Sequence, residues 1–356
     1  MRTDNPGYII SFLMNEVVID GSVGEGGGQI FRTSLSLALL AKQSLQISNI
    51  RSKRPSPGLK AQHLTALKAA AQISNAKVEG DFLGSQEVQF IPGEIRPGQY
   101  KFEIPTAGST ALVLQTIFLP LSTASRKSQV TITGGTHVPW SPTYHYLKWQ
   151  WFPWMEKIGY FGKLELNQCG YYPAGGGEIS CSVFPHGSLK PVQIIERGKL
   201  IQIRGISAAT NLPKDIINRQ RIRFVSCLGS TYPLNDIRSV ILPGRGKGTF
   251  LTVIVEFEGS TACFTSLGKK GKRAEQVADE LVNEVEEYLS TSGCVDAYLP
   301  DQLLIPLSFA PGPSIINTPK VSLHLMTNAE IIQRFLPVKI IINGAMNAPG
   351  TVNINP

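Results

Sequence analysis

The spacing of apolar and polar positions changes in a fixed order along the chain. Residues 16–20 (EVVID) read as a strand, a glycine-rich turn follows at 21–28, and a helix runs from about Gln29 to Ala41. Alternate apolar positions in 45–50 (LQISNI) predict a second strand. After a basic loop from Arg51 to Lys60, Leu64, Leu67, Ala71 and Ile73 mark the buried face of a helix over about 59–74. Two short strands, near 76–80 and 87–91, close the unit around a turn at Gly84-Ser85. The order is βαβαββ.

That order returns. A strand at 100–104 leads through PTAGST (105–110) into a helix at about 110–121, and Val130-Thr131-Ile132 forms the next strand. The loop GGTHVPWSP (134–142) precedes a second helix through Trp154, and strands near 163–167 and 178–184 flank the turn PAGGG (173–177). A third copy fits the C-terminus, with a helix from Leu299 to about Ala310, another from near Thr327 to Leu336, and strands at 338–343 and 351–355. The copies share a pattern, not a sequence.

Residues 190–292 break the rhythm. They predict a strand at 199–206, a helix at 214–228, strands at 249–258 and 261–267, and a helix at 274–290. In that last helix Val277, Leu281, Val285 and Leu289 recur every four residues. The expected fold is α/β (α+β): three βαβαββ repeats with a smaller α/β domain inserted in the third. Its expected parts are an N-terminal extension over 1–13, a repeat-built domain over 14–189 and 293–356, and an insert over 190–292.

Composition supports this class and removes others. The 34 Gly and 24 Pro in 356 residues are too many for a helical bundle and lack a collagen period, while 42% hydrophobic against 17% charged suits a buried core. No apolar run approaches the ~20 residues of a membrane helix. The stretch 8–14 is short and no small-residue cleavage site follows it, so neither a signal peptide nor a membrane partner is expected. Cys169, Cys181, Cys227, Cys263 and Cys294 form no CxxC pair and read as reduced thiols of a cytoplasmic protein. A net charge of +8 favours a polyanionic partner.

Standard nucleotide motifs are missing. GRGKG (244–248) and GKKGK (268–272) lack the Ser or Thr that a P-loop places after its lysine. Gly24-Glu25-Gly26-Gly27-Gly28 runs into Gln29 and so departs from GxGxxG, although a loop between strand and helix still offers N–H groups to an anion. His63, His137, His145, His186 and His324 show no HExxH or paired spacing, so no dedicated metal cage is expected. Taken alone, His324 between Leu323 and Leu325 reads as a core residue of an apolar strand just before a helix.

Six segments together change that reading. GSVGEGGGQIFR (21–32), IRSKRPSPGLKAQHLTALKAA (50–70), STALVLQT (109–116), YYPAGGGE (171–178), YLPDQLLIPLSFA (298–310) and HLMTN (324–328) closely resemble the RNA 3′-terminal phosphate cyclase family, in order, from about Asn15 to Ile341. The resemblance implies repeats like those of a translation initiation factor C-terminal domain, plus an inserted domain. It implies an ATP-dependent ligase that turns an RNA 3′-phosphate into a 2′,3′-cyclic phosphate. The implied route passes through histidyl-AMP and an RNA(3′)pp(5′)A intermediate, with Mg²⁺ or Mn²⁺ assisting.

Carried over residue by residue, the resemblance makes His324 the nucleophile, a role suited to an imidazole that is mostly neutral above its usual pKa of about 6.5. It assigns Gln115, Pro142, Tyr298, Asp301 and Gln302 to the adenylate, and Glu25 to the divalent cation. Arg32, Arg51, Arg54 and Gln62 fall to the RNA terminus, where arginines can hold a phosphate through paired hydrogen bonds. Thr143-Tyr144-His145-Tyr146 stand where several members carry an acidic residue. The competing readings are a cyclase-like ribosomal RNA processing protein without cyclase activity, an enolpyruvyl transferase and a plain RNA-binding module. The presence of His324 argues against the first.

Overall fold

A helical crossover forces the two strands it joins to lie parallel, and that rule governs each unit of the chain. In the computed structural model, which describes residues 16–356, β1 (Glu16–Asp20) pairs in parallel with β2 (Ser44–Ser48) across α1 (Gly28–Ala41). After α2 (Ala61–Ser74), the hairpin β3 (Lys77–Glu79) and β4 (Val88–Ile91) completes a sheet of order β1-β2-β4-β3. The extension expected over 1–13 lies outside the described residues.

The second unit repeats this with β5 (Gln99–Glu103), α3 (Thr110–Ser122) and β6 (Ser128–Gly134). Its second helical run joins α4 (Tyr144–Tyr146), a π-helical turn (Leu147–Trp151) and α5 (Phe152–Ile158), and β7 (Gly162–Gln168) and β8 (Gly177–Val183) give the order β5-β6-β8-β7. Two residues, β9 (Gln193–Ile194), then begin the third sheet. The interruption follows: β10 (Leu200–Thr210), α6 (Lys214–Leu228), β11 (Leu234–Ile241), β12 (Gly248–Phe257), β13 (Thr261–Leu267) and α7 (Ala274–Leu289). Its order, β11-β10-β12-β13, differs from the others. The third unit resumes with α8 (Leu299–Leu307), β14 (Ser314–Thr318), α9 (Leu323–Phe335), β15 (Lys339–Asn343) and β16 (Gly350–Asn355), in the order β9-β14-β16-β15.

Three expectations need correction. β9 falls inside 190–292, yet it pairs with Ile315 and Ile316 of the third sheet, so the foreign segment begins after it. β11 and β14 are absent from the pattern reading, because LNDIRSVI is an edge strand with polar interruptions and SIINT follows a Gly/Pro turn. Finally, α9 starts at Leu323, since Ser322 Oγ accepts from Leu325 N at 3.1 Å and caps it early. His324 therefore sits in the first helical turn and not in a strand.

One apolar core runs through all three repeats and includes Phe31, Leu67, Phe118, Trp151, Leu303 and Ile332. The interrupting segment has its own, built from Phe224, Leu228, Val253, Leu281 and Val285. Arg219 grips Glu275 through two bonds of 2.8 and 3.0 Å, and Arg223 meets Asp279 at 2.6 Å, so both arginines clasp α6 to α7. A third cluster, Cys169, Tyr171, Ile206, Ala208 and Phe250, joins the segment to the second repeat. Gly248 permits that contact, because a Cβ there would lie 2.3 Å from the Tyr171 ring. Among the described residues no helix is long and apolar enough to cross a membrane.

Burial along α7 sets a measurable contrast. Leu281 is fully buried and Asn283 exposed on the same helix. Leu281→Ala is expected to cost about 2–5 kcal/mol in urea unfolding, by lost transfer energy plus a cavity. Asn283→Ala should stay within about 0.5 kcal/mol. Equal midpoints for the two variants would contradict the assigned core.

Candidate active site

The glycine-rich turn is drawn in by two close approaches. Gly24, at φ +56°, lies so near α9 that a Cβ would fall 2.1 Å from Thr327 Oγ1, and a Cβ on Gly28 would fall 2.1 Å from His63 Nε2. Glu25 is thereby held between α9 and the basic loop. Its Oε2 lies 2.9 Å from His324 Nε2 and 3.4 Å from Arg54 Nη2.

His324 is held from its other side by Gln29, whose side-chain carbonyl faces Nδ1. Gln29 Nε2 donates to Asp301 Oδ2 at 3.1 Å. An ionised carboxylate only accepts, so it turns the Gln29 amide NH₂ toward itself and the carbonyl toward the imidazole. The Gln29 carbonyl thus accepts from Nδ1 while the Glu25 carboxylate accepts from Nε2, so the ion-paired ring carries a proton on each nitrogen. Asn328 fixes the helices that carry these groups. It accepts from Thr33 Oγ1 at 2.6 Å and donates to the Asp301 carbonyl at 3.0 Å, joining α1, α8 and α9.

The charges perturb one another. Burial acts to raise Glu25, but the hydrogen bond and charge of His324 outweigh it and hold Glu25 below its usual range. The Glu25 hydrogen bond raises His324 against the effect of burial. Burial pushes Asp301 up to about 7, and its Oδ1 has no protein partner. Burial also pushes Arg32 down to about 10, with Glu25 and Asp301 opposing it.

Beside His324 opens a cavity of about 880 Å³. Gln115, Pro142, Tyr298, Asp301 and Gln302 all line it, together with Arg32. Gln115 Nε2 donates to Gln302 Oε1 at 2.6 Å, and Gln302 Nε2 donates to the Tyr298 carbonyl at 2.8 Å. Arg51, Arg54 and Gln62 lie outside its lining. Arg51 Nη1 binds the carbonyls of Ser56 and Gly58 at 2.7 and 2.9 Å, and Gln62 Oε1 accepts from Ser109 N at 2.7 Å. Among the described residues no three His, Cys, Asp or Glu side chains gather as a metal cage. Glu25 alone fits a Mg²⁺ or Mn²⁺ site of the kind completed by substrate phosphates.

Four residues that sequence reading did not single out shape this site: Gln29, Asn328, Tyr146 and Asp296. Asp296 accepts from Tyr146 Oη at 2.8 Å, Gln150 Nε2 at 2.9 Å, and Tyr298 N and Leu299 N at 3.0 Å each. Burial pushes its carboxyl up to about 6, and these bonds oppose the rise. Gln150, aimed by the π-helical turn, also donates to the Thr261 carbonyl at 2.7 Å and so ties β13 to the site. An Asp just ahead of a helix start is a legible capping signal; a solitary Gln, Asn or Tyr carries none.

Residues 23–342 match a protein-family model described as RNA 3′-terminal phosphate cyclase. Over 336 residues the chain is 40% identical to the RNA 3′-terminal phosphate cyclase of Nostoc punctiforme (strain ATCC 29133 / PCC 73102), spanning 92% of this chain and 97% of that protein. Among solved structures, the human Nocturnin catalytic domain with bound sulfate anion aligns over 68% of this chain and 72% of its own at 12% identity. Its TM-score of 0.12 is too low for a shared fold.

Two-dimensional NMR without divalent cations should find the His324 imidazole titrating above about 6.5, because Glu25 stabilises the protonated form. Glu25→Gln should lower that value. The sign for stability follows: a raised folded pKa contributes stability that is fully present below the unfolded pKa and lost as pH rises through the folded one. A wild-type midpoint at or below that of Glu25→Gln would remove the assigned ion pair.

Proposed function

The chain belongs to the RNA 3′-terminal phosphate cyclase family, and on that premise we propose that it is an ATP-dependent ligase converting an RNA 3′-phosphate to a 2′,3′-cyclic phosphate. The observation that carries this assignment is His324 at the cavity wall, with Nδ1 held by Gln29 and Nε2 paired with Glu25. Nε2 attacks the α-phosphorus of ATP, a P–N bond forms and pyrophosphate leaves. The RNA 3′-phosphate then takes the AMP from His324, giving RNA(3′)pp(5′)A. The adjacent 2′-OH closes on the 3′-phosphorus, loses its proton and expels AMP.

Each group has a task on this route. Tyr298 and Pro142 offer flat or apolar surface to adenine, while Gln115, Gln302 and the unpartnered Oδ1 of Asp301 supply polar contacts. A divalent cation beside Glu25 would neutralise phosphate charge. For Nε2 to react it must first pass its proton to Glu25 or to solvent, since in the ion pair that proton occupies the lone pair that attacks. Arg32, Arg51, Arg54 and Gln62 are assigned to the RNA terminus, and a polyanionic substrate suits the +8 charge. Five unpaired thiols suit a reducing, cytoplasmic setting.

Incubation with α-³²P-ATP and Mg²⁺ should leave acid-labile, base-stable label on the protein, absent in His324→Ala and His324→Asn. A wild type that takes no label under these conditions refutes the proposal. Arg51→Ala and Arg54→Ala should still form enzyme–AMP, yet pass it to a 3′-phosphorylated oligonucleotide roughly tenfold or more slowly, the scale of a lost charge-assisted bond. Gln302→Ala should weaken the first step instead. If single-turnover transfer from isolated enzyme–AMP runs at the wild-type rate in both arginine variants, the basic loop serves ATP.

A further inference from the structure

Trp140 is 97% exposed, more than any other large hydrophobic side chain in the described residues. It also adopts a left-handed backbone at φ +58°, a conformation that bulky residues rarely hold without a functional reason. No packing accounts for it, because an indole this exposed touches almost nothing. The loop beneath is nevertheless pinned. Ser141 Oγ donates to the Val138 carbonyl at 3.2 Å, Tyr144 N donates to the Thr136 carbonyl at 3.0 Å, and His137 and His145 meet through a buried 2.8 Å hydrogen bond. A pinned loop thus presents an uncovered aromatic side chain, and Trp140 is among the residues that line the cavity that holds His324.

We propose that Trp140 is the stacking platform for the 3′-terminal nucleobase of the RNA, a binding role that rests on the function proposed above. Two nucleosides must share this cavity, one attached to the phosphorus on His324 and one bearing the attacking 3′-phosphate. Its volume of about 880 Å³ sits near the top of the ~300–1,000 Å³ range of single-ligand pockets, so it has room beyond one adenosine. Tyr298, itself 58% exposed, and Pro142 serve the adenine. Trp140 is the aromatic surface left for the second base. Stacking on a π-face tolerates every base, so this contact would not restrict the sequence of the RNA end.

The test is a two-by-two comparison in the full-length chain. Wild type and Trp140→Ala are titrated, without ATP, with a labelled 3′-phosphorylated oligonucleotide whose last nucleotide carries uracil or is abasic, and Kd is read by anisotropy. Removing the base should weaken wild-type binding about 5- to 150-fold, the equivalent of the ~1–3 kcal/mol of a stacked base. Trp140→Ala should lose a similar factor, the two losses together should hardly exceed either alone, and Trp140→Phe should recover most of the affinity. Intrinsic fluorescence gives a second readout, since Trp151 and Trp154 are buried and the half-buried Trp149 lies outside the cavity lining: the uracil oligonucleotide should quench wild type but not Trp140→Phe, and the abasic one should quench neither. Losses that multiply independently would overturn the proposal, as would an unchanged RNA Kd in Trp140→Ala. A KM for ATP in the adenylylation step that rises as much as the RNA Kd would also overturn it, by giving the indole to adenine. RNA binding is read without nucleotide, so it decides the role of Trp140 even if no enzyme–AMP forms; that separate failure removes the functional proposal.

Discussion

One amide side chain has to satisfy an imidazole and a carboxylate at the same time. Gln29 does so between His324 and Asp301, and the direction of its amide follows from the carboxylate, which cannot donate while ionised. That constraint crosses the molecule, because Gln29 comes from the first repeat and both partners come from the third. The first and last units must therefore dock in one register. Thr33, Asn328 and the Asp301 backbone supply the cross-link that keeps α1, α8 and α9 in place, so the His324 imidazole is oriented by the same contacts that close the repeat array.

Enclosing two carboxylates carries a cost, and the site spends hydrogen bonds to meet it. Asp296 is fully satisfied by side chains and backbone, and through Gln150 it links the segment interrupting the third repeat to the wall that bears Tyr298. Asp301 is different, since one oxygen is satisfied and the other is buried without a protein partner. A fully bonded carboxylate holds a structure together. One with an unbonded oxygen still has a hydrogen bond to make.

The sequence disclosed elements whose period is strong and local. α7, with its apolar residues every four positions, and the strand–turn–helix of the first repeat are read from neighbours alone. β9 is too short for any period, β11 is an interrupted edge strand, and α9 begins earlier than its apolar stripe because Ser322 caps it. Site residues divide the same way. Asp301 and Gln302 stand at a helix start, and His324 emerged through its motif, whereas Gln29 stood out only as the residue that breaks GxGxxG. Its meaning depends on partners 272 and 295 positions away. Trp140 carried no sequence signal either; only its exposure and left-handed backbone set it apart.

The separation of Gln29 from His324 also bears on how the protein is made. A ribosome adding about 5–20 residues per second needs about 15–60 s to cover the 295 positions between them. During that interval the first repeat must hold the glycine turn, Glu25 and Gln29 without the helix they will clasp. A nascent or truncated chain therefore has Glu25 and Gln29 without His324. The site is complete only once the last helix docks on the first.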